Sequence, residues 1–147
     1  MALFGKSKYK EAAKLRASNS LKIVQDCVNL INNTVNPEVY FKRYDMLKYH
    51  MDILVELEPH VRFSGELPSV SLKAMEENEQ MSIKNFINRY YDSVRAKTIK
   101  LKTKKAKLKH IQEFYDNLVD YFPWMDESNI ELVENLYDIA CTTIMDE

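Results

Sequence analysis

Residues 95–109 read RAKTIKLKTKKAKLK, and the fold turns on them. Eight of these fifteen positions are Lys or Arg and none is acidic. The stretch sits in the middle of a longer pattern. Stepping alternately four and three from Ile83, the chain places Ile87, Tyr90, Val94, Lys97, Leu101, Lys104, Leu108, Ile111, Tyr115, Leu118 and Phe122 on one line. Ten of these twelve positions are apolar or aromatic, and no Gly or Pro interrupts from Met81 to Phe122. That spacing is the heptad seam of a packed helix. It predicts one helix over about 82–122, roughly 40 residues and 60 Å long, ended by Pro123.

Working outward, the elements on either side also read as helices. A first helix is expected from about Ser7 to Asn33, with an apolar stripe at Leu21, Val24, Cys27, Val28 and Ile31. Ser18, Asn19 and Ser20 interrupt it, and residues 1–8 are expected to be disordered. Asn36 then suits an N-cap and Pro37 the first helical position, where its missing N–H costs nothing. The second helix carries Tyr40, Tyr44, Leu47, Met51 and Leu54 and ends at Glu58-Pro59. Residues 59–68, PHVRFSGELP, form a loop with Gly65 at its φ > 0 position, followed by a short helix over about Ser69 to Asn78. Past Pro123, Ser128-Asn129-Ile130-Glu131 is a capping box. It opens a final helix over about 129–145 with Val133, Leu136, Tyr137, Ala140 and Ile144 on one side. The expected fold is all-α: an antiparallel helical bundle, one domain over 1–147, with the long helix as its spine.

Composition agrees with that class. Two glycines, Gly5 and Gly65, in 147 residues fall far below the usual ~7%. Hairpin turns and phosphate-binding loops both need φ > 0 positions, so a β-rich fold or a Gly-rich nucleotide loop is hard to build. Cys27 and Cys141 lie far apart with no metal spacing and fall on buried helix sides, as free thiols of a reducing cytosol would. No apolar run approaches the ~20 residues needed to cross a bilayer. MALFGKSKYK has no signal-peptide core, and Ala2 is no myristoylation site. The expected location is cytoplasmic, with no membrane partner.

The net charge is only −1, yet from His110 to the C-terminus there are ten Asp or Glu and no Lys or Arg. Three readings compete for the basic run. Its lysines could meet nucleic-acid phosphates. Against that stand a pI near 6.3, no arginine beyond Arg95 and no aromatic inside the run for stacking. They could instead face Glu127, Glu131, Glu134 and Asp138 of the final helix, in exposed pairs worth ~0–1 kcal/mol each. Such pairing would leave Arg95 to Lys104 uncovered. Or the projecting segment could dock on an acidic protein or on a second copy of the chain, with Lys97 and Lys104 setting register. Arg95, Lys97, Lys100, Lys102, Lys104 and Lys105 are the candidate binding residues.

No catalytic pattern emerges. The helical metal spacings HExxH and ExxH are absent around His50, His60 and His110, and no GxSxG, P-loop or GxGxxG is present. His50 and Cys27 could meet across two helices, but so could any facing pair. The chain is read as non-enzymatic, with no cofactor, metal or small-molecule substrate. Most tyrosines fall on the apolar stripes and read as core. Phe41, Tyr91 and Tyr121 lie off them and are candidates to face a partner.

Three stretches, NPEVYFKRYDML (36–47), EPHVRFSGELPS (58–69) and NFINRYYD (85–92), together resemble an uncharacterised family of small helical proteins and domains of Gram-positive gut bacteria and their mobile elements. The likeness spans roughly residues 26–137. It implies a helical fold with one ordered loop and a bacterial or phage-related setting. It carries over no activity, cofactor or functional residue. In the loop, Phe63 and Leu67 are expected to plug the end of the bundle, with Arg62 and Glu66 at the surface. The expected function is protein interaction or self-association through the basic run, and the alternative is non-specific nucleic-acid binding by the same lysines.

Overall fold

Helix-forming sequence with almost no glycine gives six α-helices, one turn of 3-10 helix and no strand among the described residues. The computed structural model describes residues 2–147, with side chains from Lys8 onward. The disorder expected of residues 1–8 therefore falls, up to Ser7, outside the described side chains. The chain gathers into two compact units, one of residues 1–33 and 39–78, the other of residues 34–38 and 79–147.

In the first unit, α1 (Ala2–Asn33) and α2 (Pro37–Leu57) run antiparallel. Tyr9 meets His60, Ser20 meets His50, and Arg43 lies within electrostatic reach of Cys27, so partners climb one helix as they descend the other. All five stripe positions of α2 are buried, and so is Phe41, which corrects its reading as a partner-facing residue. Phe41 instead sits edge-on to Tyr40 with centroids 5.0 Å apart. The exposed tyrosine of this helix is Tyr49.

The stripe of α1 keeps Cys27 and Ile31 of its expected line but loses Leu21 and Val28. Ala13, Ala17, Ser20, Cys27 and Ile31 are buried, while Leu21 and Val28 are each 39% exposed. Ser18, Asn19 and Ser20 do not interrupt the helix, because Ser20 turns inward and its Oγ pairs with His50 Nδ1 at 3.1 Å. A buried hydroxyl with a partner is compatible with a helix interior. Cys27 and Cys141 are both free.

α3 (Pro68–Glu77) follows a loop in which Gly65 has φ +88°. Its first turn has no side-chain cap from Leu67. Glu58 serves instead, its carboxylate accepting from Ser69 N–H and Ser69 Oγ at 3.0 Å each. An anion there satisfies an orphan amide and complements the helix dipole. Leu67 is 46% exposed, so it plugs nothing; Phe63 is half-buried.

The second unit corrects the spine. The expected helix over about 82–122 is two helices, α4 (Glu79–Thr98) and α5 (Lys104–Val119), joined by a turn over 99–103. They run antiparallel, since Tyr90 bonds Asn117 and Tyr91 packs on Phe114. The cause lies in the basic run itself. Lys97 and Lys104 deprive the helix of its packed face there. Like charges one turn apart, as at Lys100 and Lys104, oppose helix propagation. Thr98, Ile99 and Thr103 are poor helix formers, and Thr103 caps the new helix by accepting from Ala106 N–H at 3.1 Å.

α5 ends at Val119, before a 3-10 turn at Phe122–Trp124, and α6 (Glu127–Met145) returns alongside it. The core of this unit is Ile83, Phe86, Ile87, Tyr90 and Val94 from α4, Ile111, Phe114 and Leu118 from α5, and Val133, Ala140 and Ile144 from α6. The expected capping box is displaced. Asp126, not Ser128, is the N-cap of α6, accepting from Asn129 N–H at 2.9 Å. Asn129 is 3% exposed and donates to both the side-chain and backbone oxygens of Gln80. Gln80 also bonds Trp124 O and Asp126 N–H. The starts of α4 and α6 are thus stitched side by side, making α4, α5 and α6 an up-down-up set of three.

Candidate functional site

The basic residues lie on the turn between α4 and α5 and on the helix ends that flank it. α4 closes with tightened backbone bonds, Lys100 N–H to Lys97 O at 3.2 Å and Leu101 N–H to Thr98 O at 3.0 Å. Buried Thr98 folds its hydroxyl back to Val94 O at 2.7 Å, a bond that bends helix ends. Five residues later Thr103 starts α5. Everything between must sit at the surface, because an irregular turn offers its own backbone groups few partners.

This geometry separates the six candidate residues. Lys100, Lys102 and Lys105 are exposed, and no hydrogen bond or ion pair holds them among the described residues. Lys104 is drawn to the end of α6, its Nζ donating to Met145 O at 3.2 Å. Lys107 joins it there, 2.7 Å from a Glu147 carboxylate oxygen. Cations over a helix C-terminus are favourably placed. Lys104 and Lys107 are thus held by the tail of α6, not by the Glu127, Glu131, Glu134 and Asp138 that the sequence pattern set against the run. Lys97 points elsewhere, into a hollow of about 510 Å³ that it shares with Asp116, Asp120 and Tyr121. Arg95 is half-buried.

Arg95 carries a second peculiarity. Its Nη1 and the Nε2 of His110 are buried with no hydrogen-bond partner. Tyr91 and Phe114 are in contact at 5.6 Å between centroids. One turn further on each antiparallel helix stand Arg95 and His110, so the two orphan nitrogens occupy matched positions beneath the lysine turn. The Arg95 charge also opposes the burial that pushes the Tyr91 phenol above its ordinary range.

An apolar group stands among the free lysines. Ile99 is 69% exposed and Leu101 is half-buried. Tyr91 and Tyr121, read as partner-facing, are half-buried and away from the turn residues. Sequence reasoning did not single out the exposure of Ile99, although its place opposite the seam was legible. It also missed a groove in the first unit between α1, α2 and the loop, whose residues come from segments distant in the chain.

Among the described residues no group of three or more His, Cys, Asp or Glu could hold a metal, and no helix is long and apolar enough to cross a membrane. No protein-family model, curated protein or solved structure matches the chain.

Proposed function

We propose that the chain is a non-enzymatic interaction protein that docks an acidic protein surface through the turn between α4 and α5. The observation that carries this reading is the exposure of Lys100, Lys102 and Lys105, unpaired, around Ile99. An apolar anchor inside a charged rim has the anatomy of a protein interface. The acidic surface belongs to a partner or to a second copy, whose α6 carries Glu127, Glu131, Glu134 and Asp138 exposed on one helix. A continuous 40-residue coiled coil is not the route to self-association, because the helix it needs is broken at the turn over 99–103.

Nucleic-acid binding by the same lysines is the second reading, favoured by three exposed cations that carry no ion pair among the described residues. It is the weaker one because Arg95, the one arginine of the run, is half-buried and Ile99 offers phosphates nothing.

The test is a photo-crosslinking amino acid at position 99, paired with light scattering of the purified chain. Crosslinks to a protein, lost when Lys100, Lys102 and Lys105 become Glu, support docking. A fluorescence-anisotropy titration of duplex DNA and single-stranded RNA at ~50 and ~200 mM salt decides the alternative. Steep salt-dependent binding, lost in the Lys→Gln triple variant, moves the assignment to nucleic acid.

A further inference from the structure

The first unit holds an apolar groove to which the lysine turn contributes no residue. This half-open groove of about 580 Å³ runs beside α1 from Lys14 to Gln25, a length of about 16 Å, or three helical turns. Its floor is apolar, from Ala17, Val24, Met51 and Leu54, with Phe63 of the loop as one wall. Leu21, which the sequence pattern placed in the core, lines it while 39% exposed. The buried line of α1 passes through Ser20 in place of Leu21 and so leaves a leucine outside the core on the lip of an apolar channel.

The charges around that channel are unequal. Lys14, Lys22 and Arg62 line it, and none of the three carries an ion pair or a hydrogen bond among the described residues. One carboxylate stands against them. Glu66, also on the lining, accepts from Ser71 Oγ at 3.1 Å. Glu58 is spent on the first turn of α3. A hydrogen-bonded carboxylate keeps its charge, so the lining carries three cations against the one anion of Glu66.

An open channel three turns long, with an apolar floor and an unpaired basic rim, matches one ligand geometry closely. We infer that the groove binds an amphipathic helical segment of a protein, with its apolar side on Leu21, Val24 and Phe63 and its Asp or Glu residues against Lys14, Lys22 and Arg62. A helix laid in a groove buries one face and leaves the other in water, which suits a channel open along its length. An enclosed pocket would instead suit a small molecule, which needs most of its surface covered. The rim charges select acidic segments and reject basic ones, since a like charge placed against an unpaired cation is repelled.

Two synthetic peptides of about 18 residues, or five turns, test this directly. They share one Leu stripe at helical spacing, and their polar faces carry Glu in one and Lys in the other. Fluorescence anisotropy with the full chain is expected to show the Glu peptide binding at least about tenfold more tightly than the Lys peptide. Leu21→Glu, at a part-exposed position, abolishes binding with the helical circular-dichroism signal unchanged. The double variant Lys22→Glu/Arg62→Glu inverts the preference toward the Lys peptide, a result that mere unfolding cannot produce. Equal affinity for both peptides, or no binding by ~1 mM, overturns the inference. So does binding that survives Leu21→Glu but vanishes in the Lys100/Lys102/Lys105 triple variant, which would give the peptide to the turn. Displacement of the peptide by laurate at lower concentration would give the groove to a small amphiphile and also overturn it.

Discussion

Two buried polar sites in the second unit make opposite demands on the residues that build them. At the start of α4 and α6, Asn129 and Gln80 satisfy one another and the neighbouring backbone with bonds of 2.9–3.0 Å. Truncating Asn129 to Ala removes two bonds to Gln80 and leaves its Oε1 with Asp126 N–H alone, at ~0.5–1.5 kcal/mol for each bond lost. Arg95 and His110 are the reverse case, because Arg95 Nη1 and His110 Nε2 already lack partners. Arg95→Met keeps the apolar stem of the side chain and removes the orphan donor. Its unfolding free energy is expected to be unchanged or higher, as replacement of poorly compensated buried charge by apolar volume often is. Urea denaturation of the two single variants checks both statements. A loss above ~1 kcal/mol in Arg95→Met would mean that the arginine holds a bond in solution. Neither site was legible beforehand, since satisfaction depends on which helices lie side by side.

Element boundaries were legible where chemistry at the boundary is local. Pro37 opens α2, Gly65 takes positive φ, and the stripe from Tyr40 to Leu54 is buried throughout. The false 40-residue spine arose from a coincidence of phase. The α4 seam ends at Val94, and α5 is buried at Ile111, Phe114 and Leu118, a line that shares Ile111 and Leu118 with the extrapolated heptad. The hairpin between them happens to preserve the count, and the two lysine exceptions were its trace. Of the candidate site, the location was legible and the sorting was not. Burial and the tail of α6 decide which lysines stay free, and neither is written in local spacing. The caps give a direct contest between pattern and structure. Asp126 and Thr103 each accept a bond from an amide of the first turn. Asp126→Ala and Thr103→Ala are each expected to cost about 1 kcal/mol, the usual worth of an N-cap. Ser128→Ala, at the residue the capping-box pattern favours, is expected within ~0.5 kcal/mol of wild type. Thermal melts of the three variants would separate them, and a loss at Ser128 equal to that at Asp126 would restore the box.

Across the whole molecule, the titratable groups that burial perturbs point to one side of the pH scale. Desolvation raises the Cys27 thiol above its ordinary 9.0, against the opposing charge of Arg43. It raises Tyr90 above 10.0, against the bond from Asn117, and Tyr91 in the same way. Each of these groups is neutral in the folded chain at a pH where its unfolded counterpart has begun to ionise. The unfolded state therefore gains free energy by losing protons first, and stability falls with rising pH. The contribution is complete below pH 9.0, where neither state ionises, and is lost as pH climbs through the thiol and then the phenol range. Urea midpoints are thus expected to hold level from neutrality to about pH 9 and to decline beyond it. Cys27→Ala lowers the midpoint at every pH, because it empties a buried site, but delays the onset of the decline toward the phenol range. Tyr90→Phe keeps the ring between Phe86 and Phe114 and makes the later decline shallower. A midpoint flat to pH 11 in the parent chain would mean that Cys27, Tyr90 and Tyr91 meet water in the folded state, and with it the core assigned to these residues would fail.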